Sequence, residues 1–425
     1  MKSLKRRLGA FFLVFLIITP LPSPAYSVLT HEAIVDVVWD ANLRPLLLKR
    51  FPNATPDELI QAHAYAYGGS IIQDMGYYPS GNKLFSDLTH YFRSGDFILA
   101  LLRNAATLNE YAFALGSIAH YAADNEGHPL ATNVVVPLLY PELHKKYGSY
   151  ITYEDNPLAH IKTEFGFDVL QVAKGRYAPE NYHNFIGFEV ALPLVEKAFL
   201  QTYGIDLKTI SKDDVRAANS YRYSVSTLIP KATRVAWNLK QDDIQRDLPG
   251  TTRKKFLYNI HRSSYRKQWG KDYVRPNLSD KILAFLIRIL PKIGPLKILT
   301  FRTPTPEAEK LFENSFNQAV DLYRHLLAEY DHGDLQLPNN NFDIGAFTYR
   351  GQYTLNDRAC ADLLHRLSQQ HNNGVDPDLR AQLLAFYATN APSFHPKKHD
   401  KAALQIDQEV KALQDLPLHS AQAAP

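Results

Sequence analysis

Apolar residues recur at three- and four-residue spacing over residues 31–48, 56–68, 96–123 and 161–173. That is the period of a helix with one face turned to a core. Strict apolar–polar alternation is scarce, and 147–153 is the best candidate for a short strand. Turn signals such as Pro52-Asn53 and Pro79-Ser80-Gly81 separate the helical stretches. Asp96, after Ser94-Gly95, is the expected N-cap of the helix that follows it. A further amphipathic helix is expected over 304–330, a loop at Pro338-Asn-Asn-Asn-Phe-Asp-Ile-Gly345, and helices fading into a polar, Ala-rich tail after Asp376. The pattern predicts an all-α protein without internal repeats.

A chain of 425 residues buries a full-size core and has room for two domains, or for one large domain with additions. Its start departs from the helical pattern. Lys2, Lys5, Arg6 and Arg7 precede an apolar run from Leu8 to Ile18, followed by Pro20 and Ser23-Pro24-Ala25. This is the order of a secretory signal peptide, and the apolar run is too short to span a bilayer comfortably. The expectation is cleavage after Ala25 and a secreted or periplasmic protein. Cys360 is the only cysteine, so no disulfide forms within the chain and stability has to come from packing or bound metal. In Asp357-Arg-Ala-Cys-Ala-Asp-Leu-Leu364, Cys360 reads as a small buried apolar residue.

Charge changes the picture in one place. The net charge is only +4, yet residues 253–302 hold thirteen Lys and Arg against Asp272 and Asp280 alone. Within it, residues 281–301 are strongly apolar with interspersed cations, and Pro291, Gly294 and Pro295 argue against a membrane-spanning helix. Two readings remain: a basic amphipathic segment lying on a membrane surface, or a helical hairpin packed on the main body with its cations in water. The expected organisation is a signal peptide at 1–25, a main domain at 26–250, the basic segment at 251–302, a helical region at 303–415 and a disordered tail at 416–425.

The chemistry concentrates upstream. His120, Asp124 and His128 recur every four residues, and each such step advances only about 40° around a helix. Imidazole, carboxylate and imidazole along one face suit zinc or a similar ion; a polar helix face that happens to carry two histidines is the plain alternative. A second pair, His160 and Glu164, repeats the four-residue spacing. Thr30-His31, Asp74 in Gln73-Asp-Met-Gly76, and His90 in Asp87-Leu-Thr-His90 lie upstream. Taken singly, each reads as a capping, surface or core group more often than as a ligand.

In order, the set resembles the superfamily of zinc-dependent phospholipases C, single-strand-specific zinc nucleases and glycosylphosphatidylinositol-specific phospholipase D. The resemblance covers about residues 26–170 and implies an all-α fold with a zinc cluster between helices. It implies that Asp74, His90, His120 and Asp124 hold one zinc, that His128, His160 and Glu164 hold a second, and that His31 and Tyr26 hold a third bridged by Asp124. Relatives use the amine and carbonyl of a mature N-terminal Trp, which in the nucleases lies five residues before the early histidine. Cleavage after Ala25 leaves Tyr26 five before His31. One spacing departs from the better-known branches, where the second histidine lies six residues after the aspartate; that position here is Leu130. His128 lies four after Asp124, similar to the phospholipase D branch.

The resemblance implies hydrolysis of a phosphodiester by metal-activated water, with Asp74 orienting or deprotonating that water. A phospholipid headgroup ester is the expected substrate. Glu164 resembles the phospholipase branch, and the 281–301 segment offers membrane-surface contact. A single-strand nuclease or nucleotidase is the alternative substrate class, and a metal-stabilised binding protein without turnover is the alternative outside catalysis. No stable nucleic-acid complex is expected.

Overall fold

The computed structural model describes residues 27–173, 188–211, 213–225, 298, 300–391 and 401–417. Residues 1–25, where a signal peptide is expected, Tyr26 and nearly all of the basic segment lie outside these residues. The described chain is all-α. Its helices are α1 (Val28–Val38), α2 (Arg44–Arg50), α3 (Pro56–Gly69), α4 (Lys83–Tyr91), α5 (Ser94–Asn104), α6 (Leu108–Gly127), α7 (Asn133–Leu139) and α8 (Pro141–Tyr147). They continue as α9 (Pro157–Ala173), α10 (Leu192–Tyr203), α11 (Leu207–Ile210), α12 (Asp214–Tyr223), α13 (Pro306–His332), α14 (Thr354–Gln369), α15 (Pro377–Ala388) and α16 (Lys401–Gln414). A 3₁₀ turn (Ile72–Tyr77) and π turns at Trp39–Leu43 and His128–Thr132 complete the helical elements.

The periodic stretches become helices, with local corrections. The 96–123 stretch is two helices because a capping box restarts the chain: Glu110 N–H donates to Thr107 Oγ1, and Glu110 Oε2 accepts from Thr107 N–H. Asp96 is not an N-cap. Ser94 and Gly95 have already entered α5, whose N-cap is Arg93 at φ +54°, and Asp96 accepts from Arg93 Nε at 2.7 Å. The 147–153 stretch forms no strand. Here α8 ends at Tyr147, Gly148 turns at φ +90°, and Ile151 N–H donates to Asn133 O. β pairing among the described residues is limited to the single bridges Asn341–Ala346 and Arg350–Asn390.

The central helix is α6, buried along most of its length. Its small residues let α3 come unusually close. A Cβ on Gly116 would lie 2.1 Å from Ala66 O, and one on Gly69 would lie 1.9 Å from Phe113 O. Glycine at both contacts lets the two backbones touch, and this seats Ser70, just past α3, beside His120. On another side of α6 lies α13, burying Ala308, Phe312, Ala319, Tyr323 and Leu327, with Tyr323 O–H donating to Leu115 O at 3.0 Å. Phe312 stacks on Phe167 of α9 at 4.5 Å. Helices from both ends of the chain therefore share one hydrophobic core.

Cys360 is fully buried, as its setting predicts. Of residues 281–301, only Ile298, Thr300 and Phe301 are described. Phe301 is buried edge-on against Phe165, so this residue belongs to the core and not to an outward-facing apolar surface. No helix among the described residues is long and apolar enough to cross a membrane.

Candidate metal centre

Four elements bring one group of side chains together: His31 from α1, Asp74 from the 3₁₀ turn, His90 from α4, and His120 with Asp124 from α6. All five are buried. His120 Nε2 lies 3.2 Å from Asp124 Oδ2, His90 Nε2 lies 3.2 Å from Asp74 Oδ1, and His31 Nε2 lies 3.5 Å from Asp124 Oδ1. The His90 and His120 Nε2 atoms face each other at 3.3 Å.

The far sides of the rings decide what these atoms are. A carbonyl can only accept, so His120 Nδ1, 3.0 Å from Ser70 O, and His90 Nδ1, 2.8 Å from Ser86 O, both carry protons. In the neutral rings both Nε2 atoms then present lone pairs. Lone pairs face lone pairs and carboxylate oxygens, an arrangement that repels itself unless a cation sits among them. Neither oxygen of Asp74 or of Asp124 accepts a hydrogen bond from a described residue. Adjacent ligand atoms on a tetrahedral zinc with bonds of about 2.0–2.1 Å stand about 3.3 Å apart. The observed 3.2–3.5 Å separations match that spacing, and imidazole with carboxylate is a zinc-compatible donor set.

Electrostatics differ from ring to ring: on His120 burial acts downward, but the Asp124 and Asp74 carboxylates outweigh it and raise the imidazole. Burial, reinforced by the His120 ring, pushes His31 down to about 3, so it offers a neutral imidazole at any ordinary pH. Burial raises Asp74. For Asp124 burial acts upward too, but the facing His120 ring outweighs it and holds the carboxyl below its ordinary range. His31 is itself held in place from α9, since α1 has no side-chain cap of its own. Asp168 fills that role, accepting from Leu29 N–H at 2.9 Å and Thr30 O–H at 2.6 Å.

A second group lies along α6. His128 is eight residues past His120, which on an α-helix means about 12 Å of rise and about 80° of rotation. It also opens the π turn, where Asn133 N–H bonds back to His128 O. The shared helical face therefore serves two places. The His128 ring lies 5.8 Å from that of His160. His160 Nε2 is 2.6 Å from Ile151 O, which fixes its proton there and leaves Nδ1 facing Glu164 Oε1 at 3.7 Å. Burial lowers His160 to about 4 and raises Glu164 well above its usual range, with Asp124, Asp74 and Asp343 adding to the latter. Glu164 thus senses the carboxylates of both groups.

The carboxylate that closes this second group was not expected from the sequence. Ligand atoms of His128, His160 and Asp343 all lie within 4.8 Å of one another, and Asp343 Oδ1 is 3.0 Å from His128 Nδ1. Asp343 sits in the Asn-rich loop before α14, far in sequence from the histidines of both groups, and no spacing points to it. The carbonyls of Ser70, Ser86 and Ile151 were equally silent, because any residue supplies one. Of the residues expected to ligate, His31, Asp74, His90, His120 and Asp124 meet in the first group and His128, His160 and Glu164 in or beside the second; Tyr26 lies outside the described residues.

No curated protein and no solved structure matches the chain. Residues 30–212 match the family model for zinc dependent phospholipase C, and this stretch holds every histidine and carboxylate of both groups except Asp343. An all-α body with buried, zinc-compatible histidine–carboxylate groups thus coincides with the residues that match the zinc dependent phospholipase C family model.

Proposed function

We propose that the protein is an exported zinc-dependent phosphodiesterase that hydrolyses phospholipid headgroup esters in the manner of a phospholipase C. The observation that carries this reading is the convergence of proton-free ring nitrogens and unpartnered carboxylate oxygens within the family-matched residues. Three zinc ions are assigned: one to Asp74, His90, His120 and Asp124; one to His128, His160 and Glu164; one to His31 and the amine and carbonyl of Tyr26, with Asp124 as the bridge. Zinc bound there supplies Lewis acidity and lets water ionise near neutral pH. Asp74 would orient or deprotonate the attacking water. Burial raises this carboxyl above its ordinary range. The Ser70 and Ser86 carbonyls lock the His120 and His90 rings, so the donor set needs no rearrangement during turnover. The lipid-surface contact expected of residues 281–301 is kept in this reading for the part outside the described residues, since Phe301 packs in the core.

The test is hydrolysis of phosphatidylcholine vesicles against single-stranded DNA, with chelator and after zinc is restored. Chelator-sensitive release of phosphocholine is expected, with DNA intact. DNA cleavage without lipid hydrolysis would move the substrate to the nuclease class. Bound zinc without turnover on either would make the protein a metal-stabilised binder. N-terminal sequencing beside elemental analysis tests the Tyr26 terminus and the count of three.

A further inference from the structure

We propose that Asp343, contributed by the C-terminal helical region outside the family-matched residues, is a direct ligand of the second metal position with His128, His160 and Glu164. The inference rests on the metal-centre reading above and extends it to a part of the chain to which neither the motifs nor the family match extends.

Four observations carry it. Asp343 is buried, and its two oxygens are used differently. Oδ2 is saturated, accepting from Tyr153 N–H at 2.9 Å and Tyr353 O–H at 2.7 Å. Oδ1 accepts no aligned hydrogen bond from a described residue, yet lies 3.0 Å from His128 Nδ1, which also lacks an aligned partner. One oxygen anchored by outer donors while the other faces imidazole nitrogens is the usual posture of a ligating carboxylate. The 3.0 Å approach is close to the roughly 3.3 Å between neighbouring ligands on zinc.

The third observation is that the loop is built to hold this position. Asn341 N–H donates to Ala346 O at 2.9 Å, closing a tight turn, and Gly345 adopts φ +67°. A Cβ on Gly345 would lie 2.8 Å from Asn125 O, so the turn presses on the end of α6. Asn133 Nδ2 donates to Asp343 O at 2.6 Å, and Asp343 N–H donates to Asn341 Oδ1 at 3.0 Å. The fourth is the neighbouring residue. Phe342 N–H donates to His90 O at 3.0 Å, and its ring packs on His90, His120 and Tyr121. One short loop thus touches both ligand groups.

The experiment uses the full-length zinc-loaded protein, equilibrated with nitrilotriacetate and analysed for bound zinc by mass spectrometry. The variants are Asp343→Asn, His160→Ala and Tyr353→Phe, each checked for native helical content. Asp343→Asn is expected to lose one zinc equivalent, as His160→Ala does, while Tyr353→Phe keeps the full count. Full zinc retention by Asp343→Asn at the same chelator concentration overturns the proposal. Wild-type protein that binds no zinc would instead bring down the metal-centre reading itself. Direct ligation is separated from mere steering of His128 by Asp343→Cys loaded with cobalt. A thiolate-to-cobalt charge-transfer band, absent from wild type, is expected. A variant that binds cobalt at the second position without that band places Asp343 outside the coordination sphere and overturns the proposal.

Discussion

The two ligand groups are built from the same chemistry by different means. The first draws its five side chains from α1 to α6, and its His120 and His90 rings are steered by the carbonyls of Ser70, just past α3, and of Ser86, one turn earlier in α4 itself. The second starts on the same helix but borrows a carboxylate from a loop that the chain reaches only after α13. A centre made from local helices is written into short spacings. One closed by a distant loop ties the C-terminal region to the second group through Asp343.

This contrast can be broken at its strongest point first. Asp124→Ala removes the carboxylate that His31, His90 and His120 all approach. Zinc at the first group and turnover should fall together by more than about a hundredfold, beyond what loss of an outer partner alone does. Elemental analysis beside the vesicle assay checks this, and unchanged zinc content would remove Asp124 from the centre.

Next, Phe342→Ala tests whether the loop supports both groups. Phe342 is fully buried, so the truncation should cost about 3–5 kcal/mol in denaturant unfolding. Chelator resistance should drop at both groups, and a drop confined to the second would show that the first stands alone.

Asp168 links the groups through α9, which carries His160 and Glu164 while seating α1 and His31. Burial pushes its carboxyl up to about 6. The folded state therefore holds this proton more tightly than the unfolded chain, whose aspartates titrate near 3.9. Its contribution to stability is complete below about pH 4 and is lost as pH rises through about 6. In chelator-treated protein, Asp168→Asn should flatten that part of the melting-temperature profile, and an unaltered profile would refute the coupling. The smallest effect is expected at Thr107→Ala, which removes the cap of α6 at a cost of about 1 kcal/mol and leaves the zinc count unchanged.

How far the sequence could be read follows from where each residue's partner lies. His120, Asp124, His160 and Glu164 are legible because a four-residue step lands on one helical face whatever the surroundings. His31, Asp74 and His90 become legible only as an ordered set, by family resemblance. The apolar period runs on through 96–123, and only the Thr107–Glu110 cap divides that stretch into two helices. The division of one histidine face between two places, at His120 and His128, follows from rise and rotation but needed the π turn and Asp343 to become visible.

Periodicity and spacing alone thus determined an all-α chain with histidine and carboxylate paired on two helical faces, since both depend on residues a few positions apart. Only the tertiary structure decided which nitrogen of each ring is free, which carboxylate closes the second group, and that α13 and its following loop belong to the same core. Those depend on backbone carbonyls and on one aspartate brought close by packing, and packing leaves no period in the sequence.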